Sequence, residues 1–399
     1  MKKITPFAIL IIALLSVKCS NKKTISDNKG DINNKNITQI LHFPDSGADT
    51  LKTSYFADTV IYIPLETTPE SFIRNIYQLW VNDSVILVYH GGGDLLMFQL
   101  NGKFVRKIGK QGKGPGEYEQ IFHFDVILDT IYISSRSKRS LLRYTFDDTF
   151  CDEIEFHDQP AIFNTTFDQK LAIYDDAQGK VFVYNKNFYT PDTIIVEYGV
   201  TKGRYYYSFG DPFFMTYFQK TPSGLLFNDY MNDTVWNITG DKKEPTFILD
   251  LKDKLPRNKH IEFCKGDFGG WENMAKSYQL VHLIPFSSCM FVFQKHWCDS
   301  KYDAIYLKNS KTGEIKKYNT SYIYDDIVGK QKLPGCFFIY STDYLVTYYS
   351  EPYKVLKQLK QINEKFLEGT SPLWLNQMET VKEDGNPILA LIKIKKDLQ

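Results

Sequence analysis

The chain is 399 residues long, 43% hydrophobic and 15% aromatic, enough apolar material for a large core. Its 48 lysines and arginines against 47 acids leave a formal charge of +1, which supplies no field for nucleic acid and sets that partner class aside. The six cysteines are scattered, with no C-x-x-C pair, so they read as small buried hydrophobes more readily than as a disulfide framework.

The chain opens "MKKITPFAILIIALLSVKCSNKK": two lysines, an apolar run from Pro6 to Val17, then Cys19. That is the plan of an export signal, since about a dozen apolar residues fall short of the roughly 20 that a resident membrane helix needs. Residues 1–18 are expected to be removed. Loss of Lys2, Lys3 and Lys18 with no acid then takes the formal charge from +1 to −2. Cys19 after "LLSV" resembles the bacterial lipoprotein signal, in which the thiol is diacylated and becomes the first mature residue. Lys18 departs from the small residue usual before it, and an ordinary cleaved signal is the alternative. Residues 19–54 are polar, without an apolar period, and read as lipid anchor and flexible tether. Lys22 and Lys23 follow the anchor with no acidic run. Surface-exported lipoproteins of Bacteroidota typically carry acids there, so the resemblance implies an outer-membrane lipoprotein facing the periplasm.

From Tyr55 the pattern is β. After "TVIYIPLE" from Thr59, six β-rich runs begin at Val85, Ile131, Leu171, Leu225, Met290 and Leu345. Each has a partner across a polar hairpin, at Leu95, Leu141, Val181, Val235, Ile305 and Val355, an offset of ten residues in five cases and fifteen in one. Further turns such as "NGK" from Asn101 and "KTG" from Lys311 lead into another strand, and an apolar run such as "IYQLWV" precedes each pair. Four strands per unit, repeated six times, predict an all-β fold: a six-bladed β-propeller with four-stranded blades over residues 55–399. Because an open ring would leave strand edges bare, "TVIYIPLE" and the C-terminal "ILALIKIK" from Ile388 are expected to close it within the last blade.

Particular residues also carry a family resemblance: Ile63, Pro64, Leu65 and Glu66; Gly102, Lys103, Phe104, Ile108 and Gly109; Gly112, Gly114, Pro115, Gly116, Glu117 and Tyr118. Together they resemble the signature of the six-bladed, NHL-like propeller lipoproteins of Bacteroidota. The match covers mainly the N-terminal third. It implies a fold and an envelope location, but no reaction and no catalytic residues.

The glycine-rich stretch "KIGKQGKGPGEYEQI" from Lys107 invites comparison with a phosphate loop. A Walker loop needs G-x-x-x-x-G-K followed by Ser or Thr, between strand and helix. Here Pro115 and Gly116 follow Gly114, and a strand comes next. No nucleotide is expected. Gly112, Gly114, Pro115, Gly116, Glu117 and Tyr118 are assigned instead to a structural crossing from the first blade to the second, where glycine permits positive φ.

In a propeller, such crossings share one face with the hairpins between second and third strands. On that face Arg136, Lys138 and Arg139 could meet an anionic group, and Tyr205, Tyr206, Tyr207, Trp271 and Trp297 could stack on a sugar or peptide, with packing between blades as the alternative for each aromatic. His260, Cys264, His282, His296 and Cys298 lack the close spacing of structural zinc ligands, so no metal is expected. No cofactor fingerprint, G-x-S-x-G or H-E-x-x-H occurs, and no catalytic residue is nominated. The reading is an envelope lipoprotein, tied to the membrane by its N-terminal lipid, whose loop face binds a protein or glycan partner without catalysis. The alternative is a hydrolase or lyase acting on a glycan or peptide in the central funnel. Replacing Cys19 with Ala is expected to release the chain into the soluble fraction or stall its processing; unchanged membrane partition with an unchanged mature N-terminal mass would remove lipidation from the account.

Overall fold

The computed structural model describes residues 38–399 except 136–137, 157–161, 166–169, 176–179, 185–190, 198–217, 222–223, 229–232, 241, 252–278, 297–302, 336, 341–342, 364–380, 383 and 399. Thr38–Gln399 form one compact unit. An N-terminal strap comes first: β1 (Gln39–His42), β2 (Leu51–Lys52), the short helix α1 (Thr53–Phe56) and β3 (Ala57–Pro64). The first blade is β4 (Ile76–Val81), β5 (Val85–His90), β6 (Leu95–Gln99) and β7 (Phe104–Ile108). The second is β8 (Ile121–Ile127), β9 (Thr130–Ser135), β10 (Ser140–Tyr144) and β11 (Phe150–Glu155). The third is β12 (Ile162–Thr165), β13 (Leu171–Asp175), β14 (Lys180–Tyr184) and β15 (Pro191–Glu197). The fourth is β16 (Phe218–Thr221), β17 (Gly224–Phe227), β18 (Thr234–Thr239) and β19 (Lys242–Asp250), with β1 added outside β19. The fifth is β20 (Gln279–Pro285), β21 (Cys289–His296), β22 (Ala304–Asn309) and β23 (Ile315–Tyr318). A small sixth sheet joins β24 (Ile323–Asp325) and β25 (Gln331–Leu333) to β2. The last holds β26 (Phe338–Tyr340), β27 (Tyr344–Tyr349), β28 (Ile388–Ile394) and β3, in that order, with helix α2 (Pro352–Asn363) between β27 and β28.

The fold is an all-β propeller, but the described residues form seven sheets where six were expected. The additional one is the small sixth sheet, which arises within residues 319–337, whose two strands are only three residues each and show no hairpin of the repeated length. Five of the expected pairs are hairpins: β5 with β6, β9 with β10, β13 with β14, β17 with β18 and β21 with β22. The pair assigned to Val355 is not. Val355 lies in α2, and β27 pairs instead with β28. "PYKVLKQLKQIN" starts with a proline, which suits the first helical turn, and spaces Val355, Leu356 and Leu359 at helical intervals.

Closure also differs from the single shared blade expected. In the last blade β28 does lie beside β3, but the strap fastens three other places as well. It runs parallel to β19 through β1, bridges Tyr318 through Ala48, and runs parallel to β24 through β2. Residues 38–54 are therefore part of the propeller unit, and the expected tether to residue 54 is shortened to that extent. Among the described residues no helix is long and apolar enough to cross a membrane.

Two local devices hold the strap. Gly102 in the "NGK" turn of the first blade has φ +86, and a Cβ there would stand 2.0 Å from the carbonyl oxygen of Pro64. Glycine alone allows that approach, which lets Glu66 N–H donate to Gly102 O at 2.8 Å and Glu66 Oε2 accept Phe104 N–H at 2.8 Å. The "IPLE" and "NGK" motifs are thus two halves of one contact. The second device is Asp325, fully buried in β24. Its carboxylate accepts Tyr62 O–H at 2.6 Å, Thr53 O–H at 3.3 Å, the N–H groups of Ile327 and Val328 at 3.0 Å each, and Gly329 N–H. Around it an apolar cluster joins strap, fifth blade, sixth sheet and last blade, including Phe56, Val60, Phe291, Ile323, Leu345 and Ile392.

Leaving such buried donors unanswered costs about 1–3 kcal/mol each. Asp325→Ala is therefore expected to lower the unfolding free energy by about 3 kcal/mol or more, and Tyr62→Phe by about 1–2 kcal/mol. Urea unfolding followed by tryptophan fluorescence reads both, and equal losses in the two variants would contradict a carboxylate shared among several donors.

Candidate functional site: loop face and inner strands

The crossing from β7 to β8 folds on itself. Gly109 and Gly116 take φ of +68 and +72. Gly114 N–H donates to Glu117 Oε2 at 2.9 Å and Lys110 Nζ lies 3.1 Å from Glu117 Oε1; the amide bond first, then the lysine, hold the Glu117 carboxyl below its usual range. A Cβ on Gly112 would stand 2.0 Å from Glu117 Oε2. Tyr118 is fully buried and donates to Ile108 O at 2.9 Å, while Tyr144 O–H bonds Gly116 O. Burial pushes the phenol of Tyr118 well up. Gly112 N–H goes to Tyr118 O, Glu117 N–H to Gly114 O, and Tyr118 N–H to Lys110 O. These amides close the loop rather than forming an anion cradle.

Of the other expected residues, Lys138 and Arg139 are described. Lys138 Nζ donates to Gly114 O and to Glu153 Oε2, each at 3.3 Å, and only 19% of its side chain is exposed. It braces the crossing and is not a free cation. Arg139 anchors its strand end, its carbonyl accepting Phe156 N–H at 2.8 Å. Cys19, Arg136, Tyr205, Tyr206, Tyr207, Trp271 and Trp297 lie outside the described residues, as do His260, Cys264 and Cys298 and the side chain of His296. Cys151 and Cys289 are unbridged thiols, the first exposed, the second buried with its thiol pushed up to about 12 by burial.

A second set of polar residues sits on the first strands of the blades, β4, β8, β12, β16 and β20, which line the axis. There the strand edge has no further strand to pair with, and side chains supply the missing partners. Gln78 of β4 donates to Phe124 O at 2.5 Å and accepts Phe124 N–H at 3.0 Å. His123 of β8 bonds Phe163 O of β12 through Nε2 at 3.1 Å. Gln219 of β16 donates to His282 Nε2 of β20 at 3.0 Å. Three pairs of neighbouring blades are laced in this way. Burial pushes His123 down to about 4 and His282 to about 3, so both are neutral near pH 7.

Asp125, two residues after His123 on the same face of β8, is different. Its Oδ1 accepts Val126 N–H at 2.8 Å, but its buried Oδ2 has no partner. Burial raises its carboxyl, and the charge of Lys220 on β16 acts in the opposite direction. His123 Nδ1 is likewise buried without a partner. Sequence reasoning passed over Gln78, His123, Asp125 and Lys220. The one available signal was H-F-D on a predicted strand, since alternate residues share a face. Among the described residues no group of three or more His, Cys, Asp or Glu is placed to hold a metal.

Comparison with known proteins adds the following. A model of the family described as "Domain of unknown function (DUF4934)" matches residues 39–393. No curated protein matches the sequence. Among solved structures, a protein of Bacteroides fragilis described as exported is 18% identical with a TM-score of 0.64, over 90% of this chain and all of that one. A member of the DUF4221 family from Bacteroides vulgatus aligns at 11% identity and TM-score 0.46, over 85% of this chain and 97% of that one. Virginiamycin B lyase of Staphylococcus aureus aligns at 9% and 0.40, over 84% and 99%. The first likeness shows a shared β-propeller fold. The expected NHL-like, six-bladed assignment gives way to the coarser one, a β-propeller.

The two axial histidines make a pH prediction. Their folded pKa values lie below the unfolded value of about 6.5, so the unfolded chain binds more protons in between. Their contribution is complete above about pH 6.5 and is lost as pH falls toward 4 and then 3, at up to about 1.4 kcal/mol per pH unit for each histidine. The melting temperature is expected to fall between pH 7 and pH 4.5, and to fall less steeply in a His123→Gln/His282→Gln chain; parallel slopes would exclude these two groups.

Proposed function

The chain belongs to the DUF4934 family, and from that premise we propose that it is an envelope lipoprotein, anchored in the outer membrane through Cys19 and facing the periplasm, whose propeller binds a protein or glycan partner on its loop face without catalysis. The observation that carries this reading is how the described crossing is built. Its glycines, its glutamate and Lys138 are engaged with one another, which makes the described part of the loop face a rigid surface for a partner; Tyr205, Tyr206, Tyr207, Trp271 and Trp297 are assigned to that face from the sequence alone. Rigid presentation lowers the ordering cost of binding. The exported relative of the same fold from Bacteroides fragilis is compatible with an envelope location.

The hydrolase or lyase reading rests on Asp125, an axial carboxylate with a raised pKa, a property shared by general acids. One experiment separates the two. Photo-crosslinking from the loop face in native envelopes should yield a defined partner band, lost in a Trp271→Ala/Trp297→Ala chain that keeps the wild-type melting temperature. Retention of the band in that variant would overturn the loop-face reading, and turnover of envelope glycans or peptides abolished by Asp125→Asn would install the enzyme in its place.

A further inference from the structure

The small sixth sheet buries one face only. Side chains alternate across a strand, and the register sets Leu51, Ile323 and Leu333 in one row and Lys52, Tyr324 and Lys332 in the next. The first row is fully buried, with Asp325 and Gln331 on the same side. The second row points the other way, and there Lys52 and Lys332 are exposed and Tyr324 is half-buried.

Three strands thus bring a cation, a ring and a cation side by side. Neighbouring strands lie about 4.8 Å apart, so the two lysines leave the backbone about 10 Å from each other with Tyr324 between them. Two of the three groups are held in place. Tyr324 O–H donates to Lys330 O at 3.0 Å, and Lys332 Nζ stands 4.2 Å over the Tyr322 ring. No acid stands in this row. Asp326, two residues beyond Tyr324, has its carboxylate taken by Ser54 N–H at 2.8 Å, Ser54 O–H at 2.6 Å and Thr53 O–H at 3.0 Å. Lys330 Nζ is turned to Asp326 O and adds nothing to the row. On a chain whose acids and bases nearly balance, two exposed cations around one ring are a local departure that an anionic partner complements.

The chemistry narrows that partner. A peptide recognised by a sheet pairs with a strand edge through main-chain hydrogen bonds, whereas this face offers only rings and ammonium groups. An aromatic surface between two cations suits a ring that carries anionic groups on either side. We propose that the exposed face of the sixth sheet binds an acidic glycan, a sugar ring lying on Tyr324 and its carboxylate or sulfate groups meeting Lys52 and Lys332. Holding Tyr324 and Lys332 in place beforehand lowers the ordering cost. This site does not rest on the loop-face partner, and different variants test the two.

The test is calorimetric titration of the full mature chain with oligosaccharides of polygalacturonate, hyaluronan and chondroitin sulfate, beside maltodextrin and poly-glutamate as controls. At least one acidic glycan should bind, and each control should bind at least about tenfold more weakly than the best of them. Lys52→Gln/Lys332→Gln and Tyr324→Ala should each cost about tenfold or more in affinity. Both lysines are exposed, so the double variant should keep the wild-type melting temperature and leave the test intact should Tyr324→Ala fold poorly. Three results would overturn the site: no heat from any of the three glycans, poly-glutamate binding as tightly as the best of them, or unchanged affinity in Lys52→Gln/Lys332→Gln.

Discussion

Residues 39–64 complete strand edges in three blades and bridge a fourth, and the ring depends on that pairing. In turn they meet β19, Tyr318, β24 and β28. A blade edge left bare is a row of unpaired N–H and C=O groups and a template for association with other chains. The entropy of closing so long a loop grows only with the logarithm of its length. Once one end of the strap is docked, each following contact is close to local. Gly47 shows how tight the path is: a Cβ there would stand 2.3 Å from Lys317 O.

The strap is held by polar contacts where it meets the interior. Asp325 gathers Tyr62, Thr53 and three amides, and its neighbour Asp326 accepts Ser54 N–H at 2.8 Å and Ser54 O–H at 2.6 Å. At the other end Asn386 donates to Glu66 O and Ser71 O and accepts Ile73 N–H, joining the C-terminal segment to the first crossing. A buried amide or carboxylate that satisfies several backbone groups at once specifies one arrangement, because any slip leaves several of them without partners.

The same logic governs the axis. First strands converge there with one edge unpaired, and Gln78, His123 and Gln219 turn that edge into contacts between blades. Tyr348 adds another, donating to Ile76 O at 3.3 Å. Against this background Asp125 stands apart, because its second oxygen takes no part in the lacing. A group that contributes nothing visible to packing and carries the cost of burial is where function is first sought.

Local chemistry made much of the propeller legible. Alternating apolar residues and polar turns identified five hairpins, since both signals lie within a dozen residues and depend on strand geometry alone. The glycine pattern of the crossing and the "IPLE" and "NGK" motifs were legible too, as backbone positions that only glycine occupies cheaply. Three features were decided by tertiary structure. Val355 went to a helix because β27 found its partner in β28, far along the chain. The strap and the three-stranded sheet rest on backbone pairing between distant segments, which places little demand on side chains, and Thr38–Lys52 looked like a tether for that reason. The axial residues were visible as letters, but their burial, and hence the neutral histidines and the raised carboxyl of Asp125, exists only where blades converge, since desolvation belongs to the assembled surroundings and not to the residue.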